Sequence, residues 1–339
     1  MSESNIMYQK SPELININLL VEAVLKNETH IMCSKCSMRL LIHNLAPDIG
    51  LSPSSLAVSD VDPDGLLDKQ LLAKGSGGTE VYKATWQTRV VAFKSIGQIE
   101  DKKEAMEMFS EFRREVCFLS SLIHPNIVRL LGIHIGTKYS MIMEFCDKGS
   151  LQHYILDLSN PLELQLILSL ARNLASGIDY LHTRRPIICH RDLKSPNVLV
   201  RQRPDGMLIA KISDFGLSRS LGLCSSLVRS RDADGLDNCL WQAPEVIKRS
   251  ETDHRADIFS FGIILWELIS RSIPFSEFTW MTEIADKICQ GTRPTLSPSF
   301  TSKVPPAYIT LMKQCWSEFR TSRPSSSVIL EQLRDISLS

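Results

Sequence analysis

Two short runs carry side chains whose types and order could move a phosphoryl group: His190-Arg191-Asp192-Leu193-Lys194-Ser195-Pro196-Asn197 and Asp214-Phe215-Gly216. A carboxylate such as Asp192 can aim an incoming hydroxyl. An amide such as Asn197 and a second carboxylate such as Asp214 can hold a divalent ion against phosphate oxygens. An isolated Asp, Asn or Asp-Phe-Gly would mean little, since turns favour such residues for backbone reasons. Their occurrence together and in this order makes chance a poor account.

Such chemistry also needs a cation to position the phosphates, a partner to hold that cation, and a turn that lets backbone approach the ligand. Val90-Val91-Ala92-Phe93-Lys94 is an apolar, β-branched run ending in one ammonium, as expected of a half-buried strand delivering Lys94 to the phosphates. From Lys103 to Leu122 the apolar residues Met108, Phe112, Val116 and Leu119 recur at helical spacing, and Glu115 rides on that helix. Alone, both charges would read as solvated surface groups; the ordered context points to a pair. Between Leu71-Leu72 and Val81-Tyr82 lies Ala73-Lys74-Gly75-Ser76-Gly77-Gly78-Thr79-Glu80. Glycines at 75, 77 and 78 permit positive φ and a close approach to phosphate, although ordinary hairpins carry such clusters too.

From about Leu67 to Leu333, about four fifths of the chain, the sequence resembles eukaryotic protein kinases of the tyrosine-kinase-like group. The resemblance is carried by the runs above. It also rests on His124-Pro125-Asn126-Ile127-Val128, Trp241 before Ala243-Pro244-Glu245, Asp257-Ile258-Phe259-Ser260-Phe261-Gly262 with Trp266-Glu267, and Cys315-Trp316 with Arg323-Pro324. It implies an α+β, two-lobed fold with a small β-rich N-lobe and a large helical C-lobe. It implies ATP and Mg²⁺ as cofactors, protein substrates, and these roles: Lys94 held by Glu115 on the phosphates, Mg²⁺ on Asn197 and Asp214, Asp192 aiming the hydroxyl. Lys194 resembles the Lys that steadies the γ-phosphate in Ser/Thr kinases, so transfer to Ser or Thr is expected over Tyr. The adenine should lie against Glu144-Phe145-Cys146, with Met143 as gatekeeper and Leu72, Ala73, Gly75, Ser76, Gly77, Gly78, Val81 and Ala92 lining the nucleotide. Ala73 stands where the family's first loop glycine falls, Gly77 replaces the usual aromatic at the tip, and one extra residue precedes Val81; weaker ATP binding is expected from this. Glu245 and Arg323 are expected as a buried ion pair, and Asp257 as an anchor of the catalytic loop.

The activation segment, Asp214 to Glu245, contains no Thr or Tyr, so phosphorylation there would fall on serines, of which Ser225, Ser226 and Ser230 sit mid-loop, with Arg191 as the receiving cation. Solvated loop serines are the competing reading. Asn238 replaces the Thr that usually contacts the catalytic Asp. Together with the irregular loop, it keeps a partner-binding pseudokinase as the rival function, opposed by the complete set Lys94, Glu115, Asp192, Asn197 and Asp214.

Ahead of these motifs, Cys33-Ser34-Lys35-Cys36 followed by Leu45-Ala46-Pro47-Asp48-Ile49 is similar to the stretch that precedes the kinase in Roco proteins, the leucine-rich-repeat kinases. Asn238 fits that family's activation segment, whereas Leu240 and Gln242 depart from it. No G-x-x-x-x-G-K-[ST] occurs, which leaves a fragment or a kinase-only relative as readings. Cys33 and Cys36 supply two of four zinc ligands, with His30 and His43 as candidates for the rest; two small apolar side chains in a docking segment is the plainer reading. The expected organisation is an N-terminal extension over 1–50, a Ser-, Asp- and Pro-rich linker over 51–65, and a kinase domain over 66–335 divided near residue 146.

Composition limits the alternatives. With 38 basic and 38 acidic residues among 339, nothing draws the chain to nucleic acid or anionic lipid. Nine cysteines and no signal peptide suit a reducing compartment, the cytoplasm. The longest apolar stretch, Phe259 to Trp266, is too short to span a bilayer.

Overall fold

The computed structural model describes residues 30–32, 39–41, 59–75, 78–97, 102–135, 139–221 and 236–336. Strands β1 (His30–Met32) and β2 (Arg39–Leu41) pair as an antiparallel hairpin. A six-stranded sheet follows, built from β3 (Ser59–Asp60), β4 (Leu67–Lys74), β5 (Thr79–Trp86), β6 (Arg89–Ile96), β7 (Leu130–Ile135) and β8 (Tyr139–Glu144), in the order β3-β7-β8-β6-β5-β4. Only the β3–β7 pairing is parallel. β6 carries Val, Phe and Ile, buries both faces over Val91 to Phe93, and takes the interior position such a strand requires. β4, exposed along its length and bearing Asp68, Lys69 and Lys74, is an edge strand that charge keeps from pairing further.

The helix expected over Lys103 to Leu122 is α1 (Lys102–Ser121), and it buries Phe112, Val116 and Leu119 beside the sheet, with Met108 packed against the same core. The stretch read as linker differs at its end. Ser59–Asp60 pair with Gly132 and Ile133, Val61 is buried, and Pro63–Gly65 form a 3-10 turn capped by Asp62. An alternation of small polar residues hid one apolar anchor.

The larger lobe contains α2 (Leu151–Leu156), α3 (Leu164–His182), β9 (Ile187–Cys189), β10 (Val198–Gln202), β11 (Leu208–Ile212), β12 (Arg219–Leu221), α4 (Pro244–Ile247), α5 (Arg255–Ser270), α6 (Met281–Cys289), α7 (Pro298–Thr301), α8 (Pro306–Cys315) and α9 (Ser326–Asp335). β10 pairs with β11 and β9 with β12, both antiparallel. Helix α5 is apolar around its whole circumference and is buried from Asp257 to Ile269, as a central helix must be. At Gly262 an added Cβ would lie 3.0 Å from both Cys315 Cβ and Trp316 N. Gly262→Ala should therefore destabilise the protein by about 1–3 kcal/mol, outweighing the roughly 1 kcal/mol that Ala gains in helix propensity. An unchanged or raised melting temperature would mean that α8 moves aside freely.

Candidate active site

Register in the sheet sets the upper wall. Lys94 lies opposite Val81 on one side and Met141 on the other, and Ala92 lies opposite Met143. Directly paired residues share a face, so Val81, Ala92, Lys94, Met141 and Met143 point the same way. Lys94 Nζ meets Glu115 Oε2 at 2.7 Å, closing α1 onto the sheet. Burial works to lower the Lys94 ammonium, but the Glu115 carboxylate and then that of Asp214 hold it above its ordinary value. Burial pushes the Glu115 carboxyl up against the pull of Lys94.

The Gly-rich turn is a hairpin between β4 and β5, with Ala73 opposite Val81 and the Gly75 N–H donating to Thr79 O at 2.7 Å. Gly78 sits at φ +69°, a backbone state that favours glycine. Ser76 and Gly77 lie outside the described residues, as do Ser225, Ser226, Ser230, Cys33, Cys36 and His43. Leu72 is exposed on the edge strand.

At the hinge, Glu144 is engaged on every side. Its carboxylate accepts from Arg129 N at 2.8 Å, Lys211 Nζ at 2.7 Å and Arg201 Nη1 at 2.6 Å, and its own N–H donates to Arg129 O. The Glu144 side chain thus braces the hinge against β10 and β11 instead of facing a ligand. The buried Cys146 thiol is pushed up to about 12, first by burial and then by Glu144, and stays protonated.

The lower wall is the loop from His190 to Asn197. Asp192 Oδ2 accepts from Asn197 Nδ2 at 2.8 Å and pairs with Lys194 Nζ at 2.9 Å, while Asn197 Nδ2 also donates to Asp192 O at 2.9 Å. Arg191 holds φ +70°, a strained state for a non-glycine residue. It persists because Asp257 accepts from the N–H groups of both His190 and Arg191 at 2.9 Å and meets His182 Nε2 at 3.0 Å. Burial pushes Asp257 up, but His182 outweighs it and holds the carboxyl below the usual range. This is the anchoring expected of Asp257; His182, 75 positions away in sequence, gave no local signal.

Asp214 joins the two walls. Its φ is +62°, and the following Phe215 is fully buried, its ring edge-on to His190 at 4.9 Å. Ser213 N and Oγ both donate to Asn197 O, fixing Asp214 beside Asn197. Burial pushes the Asp214 carboxyl up, but Lys94 and His190 overcome it and keep it below its ordinary value. Arg114, next to Glu115 on α1, donates to Gly216 O and ties the helix to the Asp-Phe-Gly run; the sequence reading missed it, because an Arg on a helix reads as solvated. Among the described residues no group of three or more His, Cys, Asp or Glu could hold a metal by itself. The donors that remain, the Asp214 carboxylate and the Asn197 amide oxygen, fit a hard divalent cation that completes its shell with phosphate oxygens and water.

Residues 67–333 match the family model described as protein tyrosine and serine/threonine kinase, and the chain belongs to that family. Membership implies ATP, a divalent metal ion and protein substrates. The chain is 35% identical over 332 residues to "Probable serine/threonine-protein kinase roco9" of Dictyostelium discoideum, covering 96% of this chain and 9% of that protein. It is 32% identical over 327 residues to "Probable serine/threonine-protein kinase pats1" of the same organism, covering 94% and 10%. With "Probable serine/threonine-protein kinase SIS8" of Arabidopsis thaliana it shares 36% identity over 261 residues, 77% of this chain and 24% of that protein. The similarity to Roco kinases expected from the N-terminal motifs is thus present. The chain spans about a tenth of the Roco relatives it matches. Among the described residues no helix is long and apolar enough to cross a membrane.

Proposed function

We propose that the chain is a protein serine/threonine kinase that transfers the γ-phosphoryl group of Mg²⁺-bound ATP to Ser or Thr hydroxyls of protein substrates. The observation that carries this reading is the closed Lys94–Glu115 pair with Asp214 beside it, because that pair sets an ammonium where α- and β-phosphates need it. Val81, Ala92 and Met143 form the apolar lining for adenine, and the Gly75 to Gly78 turn lets backbone reach the phosphates. Asn197 and Asp214 would hold Mg²⁺, which neutralises charge on the transferring phosphate when bound. Asp192, kept in place by Asn197 and Lys194, orients the acceptor hydroxyl and takes its proton. Lys194 offers a second cation on the acceptor side, the feature that favours Ser and Thr.

We assign the domain to residues 66–335, extended back to Ser59 because Val61 and β3 pack into its sheet. A reducing cytoplasmic setting suits the free thiols of Cys117, Cys146, Cys189, Cys289 and Cys315. The test is transfer by the purified chain from ATP and Mg²⁺ to mixed Ser, Thr and Tyr peptides, read by mass spectrometry. Phosphate should reach Ser and Thr and disappear when EDTA removes the metal. Absence of transfer, or transfer to Tyr alone, would overturn the reading.

A further inference from the structure

Glu267 lies in α5 among Ile263, Ile264, Leu265, Trp266, Leu268 and Ile269, an apolar neighbourhood in which a carboxylate has no evident place. It is 2% exposed, and burial pushes its carboxyl up to about 8 against the opposing hydrogen bonds of Trp241 and Ser195. Nothing in the phosphoryl-transfer chemistry above uses it. Its two oxygens are nevertheless both committed. Ser195 Oγ donates to Oε1 at 2.7 Å, and Trp241 Nε1 donates to Oε2 at 2.9 Å.

The two donors belong to different segments. Ser195 is fully buried and opens the 3-10 turn Ser195–Asn197, immediately after Lys194 and just ahead of the candidate metal ligand Asn197. Trp241 closes the 3-10 turn Leu236–Trp241 at the end of the activation segment, and its carbonyl accepts from Ser260 Oγ at 2.7 Å. α5 therefore grips the catalytic loop twice. Asp257 holds the backbone before Asp192, and Glu267 holds the turn after it. Only the second grip extends to the activation segment. On the kinase reading the acceptor hydroxyl meets Asp192, three residues before Ser195, so what Glu267 ties to Ser195 is held at a set spacing from the acceptor's position.

We propose that Glu267 is a positioning residue for the acceptor: by bonding Ser195 and Trp241 at once, it fixes the 236–241 segment to the catalytic loop and so sets the acceptor hydroxyl relative to Asp192. The proposal rests on the kinase reading. Loss of the carboxyl would leave an indole N–H, which can only donate, and a buried hydroxyl facing an apolar gap. The two segments would then lose the side chain they share, keeping only their separate holds on α5 through Asp257 and Ser260, while the Lys94–Glu115 pair, which Glu267 does not touch, would be untouched. Glu267→Gln keeps an oxygen for the indole and sets an amide N–H against Ser195 Oγ, which can accept as well as donate.

The experiment compares the unsubstituted chain with Glu267→Ala, Glu267→Gln and Trp241→Phe. Initial rates are taken with acceptor peptide and ATP varied separately, and amide hydrogen exchange is followed over 193–197 and 236–242. Glu267→Ala and Trp241→Phe should lose about ten-fold or more in kcat/KM for peptide, given the sensitivity of transfer to small misplacements, with KM for ATP changed less than about two-fold. Glu267→Gln should stay within about three-fold of the unsubstituted chain. Exchange should quicken in both segments of Glu267→Ala and not across α1. Equal losses toward ATP and peptide, a Gln variant as poor as the Ala variant, or unchanged exchange would overturn the proposal. Should the unsubstituted chain transfer no phosphate, the kinase reading fails, and exchange alone decides whether Glu267 couples the two segments.

Discussion

Arg323→Ala is expected to lower stability by about 3–5 kcal/mol. The guanidinium, 3% exposed, gives both Nη atoms to the two oxygens of Glu245, at 2.5 and 2.8 Å, and its Nε to Ser317 O at 2.9 Å. Its plane also lies 5.2 Å from the Phe259 ring of α5. One side chain thus joins α4, α5 and the turn before α9. Removing it takes from the Glu245 carboxylate, whose side chain is 11% exposed, both hydrogen bonds of its bidentate partner. A buried carboxylate left alone costs far more than the pair contributed, because the desolvation was already incurred on folding. Thermal denaturation should show a fall of about 6–20 °C, taking a few degrees per kcal/mol for a domain of this size. Glu245→Gln combined with Arg323→Met should recover part of it, since that pair leaves no unpaired charge. An unchanged melting temperature for Arg323→Ala would mean that Glu245 finds another cation or reaches water.

The elements that carry the candidate catalytic residues were legible because each residue belongs to a short run whose order carries the information. Lys94 ends a β-branched strand, Glu115 sits on a helix whose period predicts it to within a residue or two, and Asp192 and Asn197 share one loop. Contacts made across long separations left no such trace. His182 on Asp257, Arg114 on Gly216 and Glu267 on Ser195 and Trp241 each join residues tens of positions apart or more, and nothing in local periodicity distinguishes them from surface charges. Helix α5 shows why. Apolar on all sides, it has no stripe from which to read which face meets the catalytic loop. The expected hinge shows a second limit: the direction of the Glu144 side chain depends on Lys211 and Arg201, two residues of the other lobe.

Asp192→Asn should reduce kcat by about 10³-fold, within the range that loss of a positioned proton acceptor produces. The substitution nearly preserves shape. The new amide oxygen can still accept from Asn197 Nδ2 or Lys194 Nζ, which both converge on Oδ2 in the native loop at 2.8 and 2.9 Å. What it loses is the negative charge that, on the proposed reading, orients and deprotonates the acceptor hydroxyl. On the proposed reading Lys94, Asn197 and Asp214 hold the nucleotide, so ATP affinity should change less than about three-fold. The melting temperature should stay within a few degrees, because Asp192 is partly exposed and the strained backbone before it is held by Asp257. Binding of a fluorescent ATP analogue, thermal denaturation and single-turnover transfer separate these quantities. A variant retaining more than about a tenth of native kcat would show that Asp192 contributes less than a general base does, and that Lys194 or solvent handles the proton. A variant that instead lost ATP binding would show that Asp192 also supports the nucleotide, through the Asn197 and Lys194 side chains that it bonds.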